Sequence, residues 1–440
     1  MSRAASGAAR VLTDLAWVAS GKLLGLISLL ICSVLVARVA GPTEYGVYAA
    51  GLSLVMLVDA LIGAAVDHGI VRFGALHRDD RERCERMQAA AVRLKAAAGI
   101  ALLPVGALGG QWLGALLFGD SGRHQLVLVA LGSACALLLV RGTGACLQVD
   151  LRFHAYAVLD TLLAILRVLA MGVLVLAGVR SASLFLGAYG TSAALTFVLT
   201  SRWLPYRYLL ARPAGHHDGL ALLAFVGAAA GVVALGTITA RGDILLVSAL
   251  RSAAETGYYG VAAQLSTIAT MAAGYAGVIT QPRIIPMARQ GRLRELLWWS
   301  GIGAAVAGAV LITIAFPLVG ALISNLFGAD YTPAVPIFRV LLIGACADLL
   351  ALPVLVPFVI QFFPRVALAA EATITLAFLI LGPVVGATGP LAVAWLASVI
   401  RVVKLGFYAW LTLMNTGRAA QLTTEIAPDV PRELGHNASG

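Results

Sequence analysis

Long runs of apolar residues alternate with short polar segments along the whole of the 440-residue chain. About twelve of these runs reach the roughly 20 residues that a helix needs to cross a bilayer. They fall at 15–37, 47–69, 96–118, 124–147, 157–179, 183–203, 221–248, 257–280, 297–323, 334–360, 366–385 and 389–411. Membrane strands would alternate in segments of about ten residues, whereas these runs are continuous. The pattern predicts an all-α polytopic membrane protein.

The pattern also repeats. Gly41-Pro42-Thr43-Glu44-Tyr45-Gly46-Val47-Tyr48 separates the first two runs, and Glu255-Thr256-Gly257-Tyr258-Tyr259-Gly260 echoes it, with Gly46 aligned on Gly257 and Tyr48 on Tyr259. At the same shift of 211, Arg72, Arg78, Arg81 and Arg83 map onto Arg283, Arg289, Arg292 and Arg294, and Asp160 maps onto Glu371. Two copies of a six-helix unit are expected. An even number of spans makes both copies enter the membrane in the same direction, so the lobes are parallel repeats with the substrate path between them. The expected division is an N-terminal lobe at 1–203, a cytoplasmic linker at 204–220, a C-terminal lobe at 221–412 and a polar cytoplasmic tail at 413–440. The Gly41–Ala50 turn reads as an outer hairpin and a register mark rather than a site.

Composition agrees with the membrane reading: 60% of residues are hydrophobic and 12% charged, where soluble domains carry about 25% charged residues. Mean hydropathy is +0.93. The net charge of +10 sits in short loops, which points to membrane topology and anionic lipid rather than to nucleic acid. With the N-terminus inside, most arginines fall on the cytoplasmic side and only Arg38, Arg123, Arg180 and Arg251 on the other, so both termini are expected in the cytoplasm. The five cysteines form no metal or disulfide spacing. No phosphate-binding loop or nucleophile motif appears, so an enzyme, a resident cofactor and ATP-driven transport within this chain are not expected.

Charges inside the spans are the candidate chemistry, because each costs about 2.5–3.5 kcal/mol on insertion scales and needs a cavity or a partner. The cations are Lys22, Arg141, Arg167, Arg241, Arg339, Arg401 and Lys404, and the acids are Asp59, Asp160, Asp243, Asp348 and Glu371. Asp160 and Arg167 share a helix face, and Arg241 and Asp243 are neighbours, so these sets can neutralise one another. Arg141 and Arg339, near span ends, either snorkel to headgroups or meet substrate. Lys22, Arg401 and Lys404 have no acid on their own helix, which makes them the leading candidates for an anionic ligand. Lys95 reads as a loop charge.

The first span ending in Arg38, the Gly-Pro-x-Glu-Tyr-Gly-x-Tyr turn and Arg72 opening a charged loop resemble the polysaccharide flippases. These are the Wzx-like branch of the multidrug/oligosaccharidyl-lipid/polysaccharide (MOP) exporter superfamily. In the second half Asp243, Gly257-Tyr258-Tyr259 and Gln281-Pro282-Arg283 resemble it too, so the likeness covers about residues 10–412. It implies a MATE-like, two-lobed, twelve-helix transporter of the bacterial inner membrane that works by alternating access. Its implied substrate is an undecaprenyl-diphosphate-linked saccharide moved to the outer leaflet for polysaccharide or O-antigen (lipopolysaccharide) biosynthesis. The cavity cations would be Lys22, Arg401, Lys404, Arg167, Arg141 and Arg241. The five intramembrane acids are then candidates for ion pairs or for coupling to H+, Na+ or the membrane potential. Polymerase or assembly proteins are expected as partners of a monomeric carrier. The alternative is a MATE-like cation-coupled antiporter of drugs or organic cations, using Asp59, Asp160 or Asp243.

Overall fold

The computed structural model describes residues 2–64, 66–67, 69–71, 80–203, 216–268, 270, 292–351 and 355–415. Arg72, Arg78, Arg283 and Arg289 of the repeated register, positions 204–215 of the linker and the tail beyond Asn415 lie outside them. Regular structure among the described residues is helical throughout.

The first long helix, Ser2–Val58, is two helices joined at Gly41. Gly41 has φ 75 and ψ 176, which a residue with a Cβ rarely adopts. Pro42 then opens the next helix, where its missing N–H has no intrahelical partner to lose. We call the two parts α1 (2–40) and α2 (42–58). The π-helical turn Asp59–Ala64 continues α2. There follow α3 (Arg81–Phe118), α4 (His124–Val149), α5 (Phe153–Leu176), α6 (Ala182–Thr200) and α7 (His216–Leu250). Helix α8 is described over 253–268. The chain continues with α9 (Leu293–Leu326), α10 (Ala334–Ala351), α11 (Leu355–Phe362), α12 (Pro364–Gly386) and α13 (Pro390–Asn415).

Ten helices are long and apolar enough to cross a membrane. The break at Gly41 divides the first of these into two, and α8, described over 253–268, stands where the eighth expected span begins. Leucines such as Leu108 and Leu176 stand about nine-tenths exposed, as lipid-facing side chains do. Trp17, Trp112, Trp298, Trp299 and Trp410 are also exposed.

Several boundaries differ from the sequence reading. The Gly41–Ala50 stretch is no hairpin loop: one glycine breaks the chain and helix resumes at Pro42, with Tyr45 and Tyr48 buried. The arginine segment at 81–95 is helical rather than a loop, as α3 begins at Arg81 with Asp80 capping it through Arg83 N. Cys84 is accordingly a buried helical residue. The last residues of the expected linker, 216–220, belong to α7.

In the N-terminal half α1 packs on α5, while α4 packs on both α3 and α6. In the C-terminal half α7 packs on α12, and α10 on α13 and α9. The halves meet closely at the Gly41 end. A Cβ on Gly46 would run into the carbonyl of Ala253 and lie 2.7 Å from the nitrogen of Gly257, and a Cβ on Gly257 would run into the carbonyl of Pro42. The two copies of the turn therefore pack on each other, backbone to backbone. Arg38 Nε donates to the carbonyl of Leu326 at 2.7 Å, and its Nη2 to that of Asn325. The Tyr331 hydroxyl donates to Ala37 O at 3.1 Å, and its ring meets Tyr45 edge-on. These contacts close the Gly41 end of the bundle.

Candidate functional site

The helices leave three cavities that share one residue, Arg141 of α4. The largest, about 350 Å³, is lined by Asp59, Asp67, Arg141, Gln148, Tyr156 and Asp160 together with apolar residues. A narrow one of about 90 Å³ holds Lys22, Asp160, Arg141, Arg167 and Tyr189. The third, about 220 Å³, lies between the halves: Ser33, Tyr45, Tyr48 and Arg141 come from one side, Arg241 and Gln264 from the other.

Local packing explains how the charges reach these spaces. Where α1 crosses α5, Gly21 approaches the backbone of Ala157 so closely that an added Cβ would sit 3.2 Å from its Cα. That proximity brings Lys22 Nζ to 2.8 Å from Asp160 Oδ2 and over the Tyr156 ring. The π-helical turn starts at Asp59, whose carboxylate lies 3.9 Å from Arg141 Nε. Such single-turn π segments recur at functional sites. Arg141 remains 43% exposed in spite of its central position, so its guanidinium is available to a ligand.

In the C-terminal half the charges pair more tightly. Lys404 of α13 contacts Glu371 of α12, whose side chain has no exposure, and the Tyr408 hydroxyl donates to Glu371 Oε1 at 2.8 Å. Arg401 Nε lies 3.6 Å from Asp348 Oδ2. Asp243 is buried; it accepts from the Tyr259 hydroxyl at 2.8 Å and from the backbone N–H of Ile244.

Three sequence expectations are corrected by these contacts. Lys22, Arg401 and Lys404 do have acidic partners, supplied by neighbouring helices rather than their own. Asp160 takes Lys22, not Arg167; Arg167 instead stacks on Tyr189 at 4.4 Å and reaches Ser28 Oγ at 3.4 Å. Arg241 and Asp243 are adjacent yet form no ion pair: a spacing of two residues points them to different sides of α7. Arg339 is held over the Phe316 ring at 4.8 Å.

Sequence reading missed one pair altogether. Lys95, 1% exposed, bonds Asp67 at 2.5 Å, and Asp67 lines the 350 Å³ cavity. The signal lay in the sequence, since Lys95 borders an apolar run and Asp67 closes one, but both resembled ordinary loop charges.

The polysaccharide biosynthesis protein family model matches residues 11–288. The chain belongs to that family. No curated protein sequence matches it. Among solved structures, the lipid II flippase MurJ in its inward closed conformation superposes with a TM-score of 0.71 at 12% identity, covering 94% of this chain and 93% of that one. An inward-facing multidrug resistance MATE family transporter of the MOP superfamily gives 0.69 at 10% identity, covering 90% and 96%. A MOP superfamily transporter from Pyrococcus furiosus Vc1, described by a reversed polarity of its binding pocket, gives 0.60 at 12%, covering 93% and 96%. This polysaccharide biosynthesis family member thus has the MOP fold, the fold of transporters and flippases, as its resemblance to the Wzx-like flippases implied.

Proposed function

We propose that this protein is a flippase that carries a polyprenyl-diphosphate-linked saccharide from the inner to the outer leaflet by alternating access. The observation that carries the reading is the interlobe cavity with Arg141 on one wall and Arg241 on the other, and no carboxylate among its described lining residues. Arg241 has no ion-pair partner among the described residues. Guanidinium groups bind phosphate oxygens bidentately and keep their charge in any surroundings, so two of them facing one space suit a diphosphate. A ligand held from both lobes at once also couples its own movement to theirs. Lys22 and Arg167, in the adjoining narrow cavity, add positive field to the same centre. Arg401 and Lys404 serve instead to neutralise Asp348 and Glu371.

The reading places the protein in the bacterial inner membrane with both termini cytoplasmic, acting without a resident cofactor ahead of the enzymes that polymerise the glycan, as a monomer among anionic lipids. Movement driven by H+, Na+ or the membrane potential is part of the same proposal. The test is Arg141→Gln and Arg241→Gln, each reconstituted into liposomes with a fluorescent polyprenyl-diphosphate sugar. Loss of at least about tenfold in binding is expected, since a charge-assisted bond to phosphate is worth about 1.5–3 kcal/mol. Wild-type binding and flipping by both variants would overturn it.

A second reading, the cation-coupled antiporter, draws on the three carboxylates of the 350 Å³ cavity. It predicts efflux of a lipophilic cation under an imposed proton or sodium gradient, lost in Asp59→Asn, with no response to Arg241→Gln.

A further inference from the structure

The charges lining the cavities are not mixed evenly. Among the described residues, the ionisable groups besides tyrosine around the 220 Å³ interlobe space are Arg141 and Arg241. Around the 350 Å³ chamber they are, among the same described residues, Asp59, Asp67, Asp160 and, on the shared wall, Arg141. The lysines that offset two of those acids lie outside the chamber's lining: Lys22 meets Asp160 from the narrow side cavity, and Lys95 meets Asp67 from a buried position behind it. Asp59 Oδ1 is buried and has no hydrogen-bond partner. Its carboxylate is held only at 3.9 Å by Arg141. Gln148 and the Tyr156 ring complete the wall.

Resting on the flippase reading above, we infer that this chamber is a saccharide subsite selective by charge: it takes the sugar next to the diphosphate when that sugar is neutral or carries a free amine, and rejects a uronic or otherwise acidic one. The chemistry follows from the lining. Carboxylates are pure acceptors, and a sugar's vicinal hydroxyls are donors set at the spacing of two carboxylate oxygens. The volume lies within the roughly 300–1,000 Å³ of small-molecule sites, enough for a sugar ring. A fourth carboxylate brought among these three would face their oxygens rather than the lysines behind them, and in a space of low dielectric such repulsion is strong. Arg141 on the shared wall fixes the register, since it can hold the phosphate that bears the sugar. The arginine space and the acid chamber then read two ends of one headgroup.

Binding of four probes to the full-length protein in lipid nanodiscs tests this: bare farnesyl diphosphate and farnesyl diphosphate carrying a hexose, a hexosamine with a free amine, or a hexuronic acid. Wild type should bind hexose and hexosamine conjugates more tightly than the bare diphosphate, and the hexuronate at least about tenfold more weakly than the hexose. Asp59→Asn should bring hexose and hexuronate to within about threefold of each other. The double variant Asp67→Asn/Lys95→Met removes one chamber acid together with its buried partner, and should narrow the same ratio if Asp59→Asn fails to fold. Equal binding of hexose and hexuronate by wild type, with the bare diphosphate still bound and that binding lost in Arg241→Gln, overturns the subsite alone. No binding of the bare diphosphate overturns the flippase reading and the subsite together.

Discussion

Asp160 in the N-terminal half and Glu371 in the C-terminal half stand at matching positions of the 211-residue repeat, and each pairs with a lysine. The lysines do not match. Lys22 comes from the first helix of its lobe and Lys404 from the last of the other, so the pairs arose on different helix faces. Asp160 borders two cavities. Glu371 is sealed, with Tyr408 bonded to it and none of the three cavities beside it. Of these two matched acids, one thus borders open space while the other is enclosed between helices. A repeated acid is no guide to a repeated role, because a buried charge answers to whatever neighbour the packing supplies.

The largest effect should come from the sealed side. Glu371→Gln leaves Lys404 without its carboxylate, a change that typically costs about 3–5 kcal/mol in a buried pair. Thermal unfolding in detergent should show a drop of many degrees, mostly restored in Lys404→Met/Glu371→Leu. An unchanged melting temperature would show that Glu371 does not staple this lobe. Asp160→Asn should cost less because Asp160 borders a cavity and keeps 13% exposure where Glu371 has none.

Next in size is the contact that joins the halves. Gly257→Val forces a side chain into the carbonyl of Pro42, and overpacking of this kind costs about 1–3 kcal/mol or more. The expected readout is a cysteine at Tyr331→Cys, buried in the sealed state, becoming reactive to a charged thiol reagent. Continued protection would mean that the Gly41 end closes without this approach.

A third comparison concerns one helix crossing in its two copies. Gly344 leaves room for Arg401, whose Cδ would lie 2.9 Å from an added Cβ. Its repeat mate is Ser133, whose hydroxyl bonds Leu186 O at 3.1 Å across from Gly190. Gly344→Ala should cost about 1–2 kcal/mol by displacing Arg401 from Asp348, and Ser133→Ala about 0.5–1.5 kcal/mol for one hydrogen bond. Reversal of that order, measured by denaturation of the two single variants, would remove the spatial reason given for the glycine. The smallest effect belongs to the exposed Arg251–Glu255 pair at 2.7 Å; Arg251→Ala should change stability by about 0.2–1 kcal/mol, and a larger loss would point to its bond with Ala387 O.

Much of this architecture was legible beforehand. The twelve spans and the repeat follow from apolar run length and from spaced glycines, tyrosines and charges, because the bilayer requires every spanning backbone group to be bonded within its own helix. The list of intramembrane charges was legible for the same reason, since each stands out against hydrocarbon-compatible neighbours. Their partners were not. Own-helix spacing suggested that Asp160 would meet Arg167 and that Lys22, Arg401 and Lys404 were unmatched. The observed pairs instead join different helices, as α1 to α5 and α12 to α13. Lys95 and Asp67 were hidden because the helix continues past the apolar run that marked its end.

Sequence by itself therefore determined the solvent of each segment, the number of crossings, the two-fold repeat and which charges sit in the membrane. Tertiary structure decided which of those charges stay open to a ligand. Arg141 and Arg241 face a shared space and Lys404 does not, because helix crossing and the small residues at the crossings set where each long side chain can reach. It also changed the meaning of Gly46 and Gly257. In sequence they mark the register of two copies; in space each lies against the other's backbone, where only a missing Cβ allows the halves to close.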